Sequence, residues 1–156
     1  MLTVLDHISL SGDRRKQNDD AGGAFGRFPW VIDGATDLHA EPLSPAASDA
    51  AFFAHAFHGG LAGAAALAAD APSLLAQALT SAQAAWTAHA APIAHPWQTP
   101  TASVVLTMET PAGLLATDMG DSRLFALDAH GEAHSFGGGR ESAKEEAAQV
   151  RLVTRG

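Results

Sequence analysis

The feature that most constrains this chain is a change of hydrophobic period, from two to about 3.6 and back to two. Phe28, Trp30 and Ile32 alternate with Pro29, Val31 and Asp33. That places the three large apolar residues on one face of a strand. A preceding arm, Ala21 to Phe25, is expected to pair with Phe28 to Ile32 through a turn at Gly26-Arg27. From Ala46 to Ala69 the text is Ala-rich and helical, with a weak point at Gly59-Gly60. A second helix is expected to start at Ser73 after Pro72, with Leu75, Leu79, Ala82, Trp86 and His89 on one face. From Thr101 the period returns to two: Ala102, Val104, Leu106 and Met108 alternate with Ser103, Val105 and Thr107.

Short turns at Thr110-Pro111-Ala112-Gly113, Gly120-Asp121-Ser122 and Asp128-Ala129-His130-Gly131 separate strands Leu114 to Met119, Arg123 to Leu127 and Glu132 to Phe136. Connections this short give an antiparallel meander. Leu2 to Leu10 also reads as a strand, and Val150 to Thr154 as a final one, available to a partner as an exposed edge. Strands, two helices and more strands make the fold class α+β. The length of 156 residues suits a single domain over 1–156.

Charge narrows the function. Seventeen acidic against nine basic side chains give a net charge of −8, which opposes nucleic-acid binding. There is no cysteine, so disulfides, thiolate zinc sites and cysteine nucleophiles are excluded. The N-terminus lacks the pattern of a secretory signal. His55, His58, Gly59, Gly60, Asp70 and Pro72 interrupt the apolar middle, so no membrane span is expected and the location is read as cytoplasmic.

The chemistry rests on a few carboxylates. Asp33-Gly34 closes an apolar strand, which can present a carboxylate from a rigid element, although Asp-Gly is also a common turn pair. Asp19 and Asp20 are adjacent like charges, either solvated in a turn or neutralised by a cation. Arg15 stands three residues before Asn18, and its guanidinium suits two phosphate oxygens or a plain basic patch. Asp121 lies in a strand-to-strand turn. His55 and His58 share a helix face without a third ligand beside them and read as packing residues. No Gly-x-Ser-x-Gly elbow is present.

Order gives these residues meaning. Arg15-x-x-Asn18-x-Asp20, Val31-Ile32-Asp33-Gly34, Thr101-Ala102 and Gly120-Asp121-Ser122-Arg123 follow one another as do the motifs of the metal-dependent type-2C serine/threonine phosphatases. Over roughly residues 1–136 the chain resembles the N-terminal part of that family. The resemblance implies an α-β-β-α sandwich of two antiparallel sheets flanked by helices, with two magnesium or manganese ions at one end. Asp33 would bridge the ions and the Gly34 carbonyl would bind one. Asp19 and Asp20 would ligate metal or its waters, Asp121 would serve a further position, and Arg15 would hold the phosphate. The implied reaction is hydrolysis of phosphoserine or phosphothreonine in a protein substrate by a metal-activated water.

The chain departs from the family in two places. Ala35 and Thr36 follow Asp33-Gly34 where many members carry a histidine, and His39 is the nearest histidine in sequence. The family's later Asp-Gly and Asp-Asn motifs have no counterpart, since no aspartate follows Gly137. Residues 137–156 are therefore expected to be a flap-like tail, and the chain an incomplete domain. Two alternatives stay open: a non-catalytic phosphatase-like binding or regulatory module, and a small-molecule phosphohydrolase.

Overall fold

The structure is a computed structural model, and it describes residues 4–11, 17–128 and 130–138. Arg15, the strand reading at Val150 to Thr154 and tail residues 139–156 lie outside the described residues. The elements run β1 (Ala21–Phe25), β2 (Phe28–Gly34), α1 (Asp49–Ala64), α2 (Ala71–His89), a short 3-10 turn at Pro96–Gln98, β3 (Ala102–Thr110), β4 (Gly113–Met119), β5 (Arg123–Leu127) and β6 (Ala133–Gly137). They form a mixed α+β structure with two antiparallel sheets, one ordered β1-β2-β3-β4 and the other β5-β6.

The hairpin turns at Gly26, whose φ of +58° is the left-handed conformation that glycine adopts without steric cost. In β2 the alternation does what its sequence implies. Phe28, Trp30 and Ile32 are buried, while Val31 and Asp33 occupy the opposite, exposed face. The buried trio packs with Val104, Leu106 and Met108 of β3 and with Phe57, Leu61 and Leu74 of the helices, making one continuous core.

Helix α1 starts at Asp49, three residues later than its composition suggests, because Ser48 caps it: the Ser48 side chain accepts from Ala51 N at 3.0 Å. Gly59-Gly60 does not break it. A Cβ at Gly60 would lie 2.8 Å from the Ala78 carbonyl oxygen, so the missing side chain is what lets α2 approach. Helix α2 is capped by Asp70 rather than begun by Ser73. Ser73 is the third residue of a capping box, donating from its backbone N to Asp70 at 2.8 Å. Its buried face is Ala71, Leu74, Leu75, Ala78 and Ala82; Leu79 and His89 point to solvent. Leu75 and Ala82 of the expected face are thus buried, and Ala78 takes the place expected of Leu79 because Gly60 of α1 comes against it.

Two strand readings need correction. Residues 4–10 carry no regular structure, and the Asp6 carboxylate takes the His7 N–H at 2.8 Å, diverting backbone from strand pairing. The meander also divides: β3 pairs with β4, but among the described residues β5 pairs only with β6. Among the described residues no helix is long and apolar enough to cross a membrane.

Candidate metal centre

Antiparallel pairing fixes the position of Asp33. It stands opposite Ser103, and Gly34 stands opposite Ala102, at the end of the β2–β3 ladder. Ala35 N extends that ladder by one bond to Thr101 O at 3.0 Å. The carboxylate therefore projects from a rigid strand end on the face opposite the helices.

Two further segments converge on it. The first is the stretch before β1. Gly34 leaves no room for a side chain because the Asp19 carbonyl oxygen occupies the place its Cβ would take. This close approach brings Asp19 against the strand end, and Asp20, the next residue, lies near enough for its carboxylate to act on Asp33. The second segment is the β4–β5 connection. Gly120 adopts φ +113°, and a side chain there would collide with Ser103. Ser122 Oγ meets Ser103 Oγ at 2.5 Å. Glycine and serine together fold this turn over β3, which explains why it leaves the sheet instead of making a hairpin. Asp121 is held between them, near enough for its charge to act on Asp33.

The result is a crowded set of acids. Burial, followed by the Asp20 hydrogen bond and the charges of Asp20 and Asp121, pushes the Asp33 carboxyl above its usual range. Every one of these influences raises it. An all-oxygen, like-charged set of this kind fits a hard divalent cation such as magnesium or manganese, whose charge would offset the repulsion among the carboxylates. Asp20, Asp33 and Asp121 are nonetheless looser than a complete shell. Among the described residues, one trio of ligand-type side chains places its ligand atoms within 4.8 Å of one another, and that trio is Asp128, Glu132 and His134.

That trio was not singled out from sequence. It sits in the exposed β5–β6 turn, where Asp128 Oδ1 accepts from His130 N at 2.8 Å and Glu132 N at 2.9 Å, and Oδ2 lies 3.2 Å from His134 Nε2. These bonds, that of Glu132 first, hold the Asp128 carboxyl below its usual range. Asp118 also escaped notice. Its Oδ1 is buried without a hydrogen-bond partner, close to Gly137. A β4 position opposite Val105 gave the sequence no reason to mark it.

The loop after Gly34 supplies no free histidine. His39 Nδ1 lies 2.9 Å from Glu41 O, and Nε2 lies 3.5 Å from the buried Asp49 carboxylate. Both ring nitrogens are turned to their own loop and to α1. His58 acts in the core rather than in a metal site, accepting from Trp30 Nε1 at 3.2 Å.

No family model matches the sequence, and no curated protein matches it. A solved structure does resemble it: the crystal structure of the PPM Ser-Thr phosphatase MsPP from Mycobacterium smegmatis in complex with cacodylate, at 20% identity and a TM-score of 0.57. The match covers 83% of this chain and 50% of that one, so the chain spans about half the length of the phosphatase. The mixed α+β arrangement of two antiparallel sheets and two helices is thus structurally similar to part of that phosphatase.

Proposed function

We propose that the chain is the N-terminal part of a metal-dependent protein phosphatase that hydrolyses phosphoserine and phosphothreonine. The observation carrying this reading is Asp33, its carboxyl raised by burial and then by Asp20 and Asp121, at a strand end in a fold similar to that of a PPM phosphatase. A perturbed carboxylate among like charges at the end of an interior strand supports reading this cluster as a functional site.

In this reading Asp33, the Gly34 carbonyl, Asp20 and Asp19 hold magnesium or manganese, and Asp121 serves a more distant position. Ions held there would supply Lewis acidity for the phosphoryl group and would lower the pKa of water. The chain's own task is to keep four carboxylates close at neutral pH. Gly34 does so by letting Asp19 against the strand, and Ser103 with Ser122 by fixing the Asp121 turn. Arg15 is assigned to the phosphoryl oxygens, where a bidentate guanidinium offsets developing charge.

Hydrolysis of an aryl phosphate and of a phosphothreonine peptide with manganese tests the proposal. Parent protein should turn over both, and Asp33→Ala should lose about 10²-fold or more of the manganese-dependent rate. Equal turnover by the two proteins overturns the site. The open spacing of Asp20, Asp33 and Asp121 favours one alternative, a phosphatase-like module that binds without hydrolysing. It predicts manganese binding with no turnover of either substrate.

A further inference from the structure

The start of α1 is tied to the loop after Gly34 by two aspartates that exchange places. Asp37, in the loop, accepts from the first backbone N–H groups of the helix, Asp49 N at 2.7 Å and Ala50 N at 3.1 Å. Asp49, in the helix, reaches back to accept from the loop at Leu43 N, 2.9 Å, and Ser44 N, 2.7 Å. Asp49 has no exposed surface, and His39 stands 3.5 Å from it. A fully buried carboxylate is tolerated only with such partners. Each aspartate thus satisfies donors that the other's segment leaves open, and loop and helix become one rigid unit.

At the tip of this unit stands Ser48. Its hydroxyl accepts from Ala51 N as the helix cap, and it donates to Asp19 Oδ1. One hydroxyl uses both its functions, joining the clamped helix end to a carboxylate whose backbone already lies against Gly34. A capping serine needs only to accept. The bond it donates is surplus to capping and points at the candidate metal centre.

We propose that Ser48 is a positioning residue for that centre: held by the Asp37–Asp49 clamp, it fixes the Asp19 carboxylate in the orientation that binds metal. This rests on the metal-centre reading above. A ligand carboxylate held by an outer hydrogen bond loses less rotamer freedom on binding, and removing such a partner typically weakens a metal site about 10- to 100-fold.

Manganese affinity, measured calorimetrically with the metal alone on the full chain, tests the proposal with five proteins. Ser48→Gly deletes the hydroxyl but keeps a residue that caps helices nearly as well, at a cost of only a few tenths of a kcal/mol. It should bind manganese about tenfold more weakly, with little change in melting temperature. Ser48→Thr retains the hydroxyl and should restore parental affinity. Asp70→Gly makes the same kind of capping change in α2 and should leave affinity unaltered. Asp33→Ala should abolish binding. Parental affinity in Ser48→Gly, or equal weakening in Asp70→Gly, overturns the positioning role. Parental affinity in Asp33→Ala, or no binding by the parent, overturns instead the metal-centre reading beneath it.

Discussion

Asp33 has opposite consequences for stability and for function. Because burial, Asp20 and Asp121 all oppose its ionisation, the folded protein keeps that proton to higher pH than the unfolded chain, whose carboxyl titrates near 3.8. The sign follows from linkage: the stability the proton contributes is full below pH 3.8 and is lost as pH rises through the elevated folded value. Metal-free Asp33→Asn should therefore melt above the parent at neutral pH, and the two should converge in acid. Manganese should raise the melting temperature of the parent and not of the variant, and thermal melts with and without the ion read both effects. Gly34→Ala is a second test at this scale. It places a methyl group where the Asp19 carbonyl oxygen lies, so a loss of about 1–3 kcal/mol by urea denaturation should accompany loss of manganese binding.

Helix α1 shows that identical residues can answer to different forces. Gly59 and Gly63 have nothing within 4 Å of an added Cβ, whereas at Gly60 that atom would meet Ala78 backbone at 2.8 Å. Gly59→Ala and Gly63→Ala should each stabilise by about 0.5–1 kcal/mol, and Gly60→Ala should destabilise by about 1–3 kcal/mol, read as shifts in the urea midpoint. The contact between α1 and β2 has its own pH dependence. Burial, then the charges of His55 and His7, hold His58 below its usual value of 6.5. Its contribution is full above pH 6.5 and is lost as pH falls from there through the lowered value. His58→Gln keeps an acceptor for the Trp30 indole and should flatten that acid decline, followed by the Trp30 indole resonance. Element types and order were legible in the sequence because β2 and the two helices carry clean periods. The split between sheets was not, because it depends on Gly120 meeting Ser103, a contact across the β3–β4 pair. Nor was the buried face of α2, which is set by how closely α1 approaches. Motif order singled out Asp20, Asp33 and Asp121, and the structure brings these three near one another. The Asp37–Asp49 exchange was not legible, since nothing in a sequence tells a buried carboxylate from a solvated one.

Across the whole molecule, apolar surface is unevenly spent. Phe125 and Leu127 are each 73% exposed on the two-stranded sheet, although their strand reads like a core strand. Replacing both with serine should change stability by no more than about 0.5 kcal/mol per site and should raise solubility, measured by urea denaturation and by the concentration at which the protein precipitates. The four-stranded sheet has a different bearing on the molecule. Its β1–β2 hairpin and its α1–α2 pair are local, but joining Gly34 to Ala102 closes a loop of 68 residues (102 − 34). Closure on that scale costs roughly 4 kcal/mol of chain entropy before any contact offsets it. Asp19 and Asp20 reach Asp33 through the local β1–β2 hairpin, but Asp121 lies on the far side of that closure, so the acidic cluster is complete only once the long-range pairing is made. Asp121 therefore adds its charge to the other carboxylates only where the β2–β3 ladder is already there to hold them.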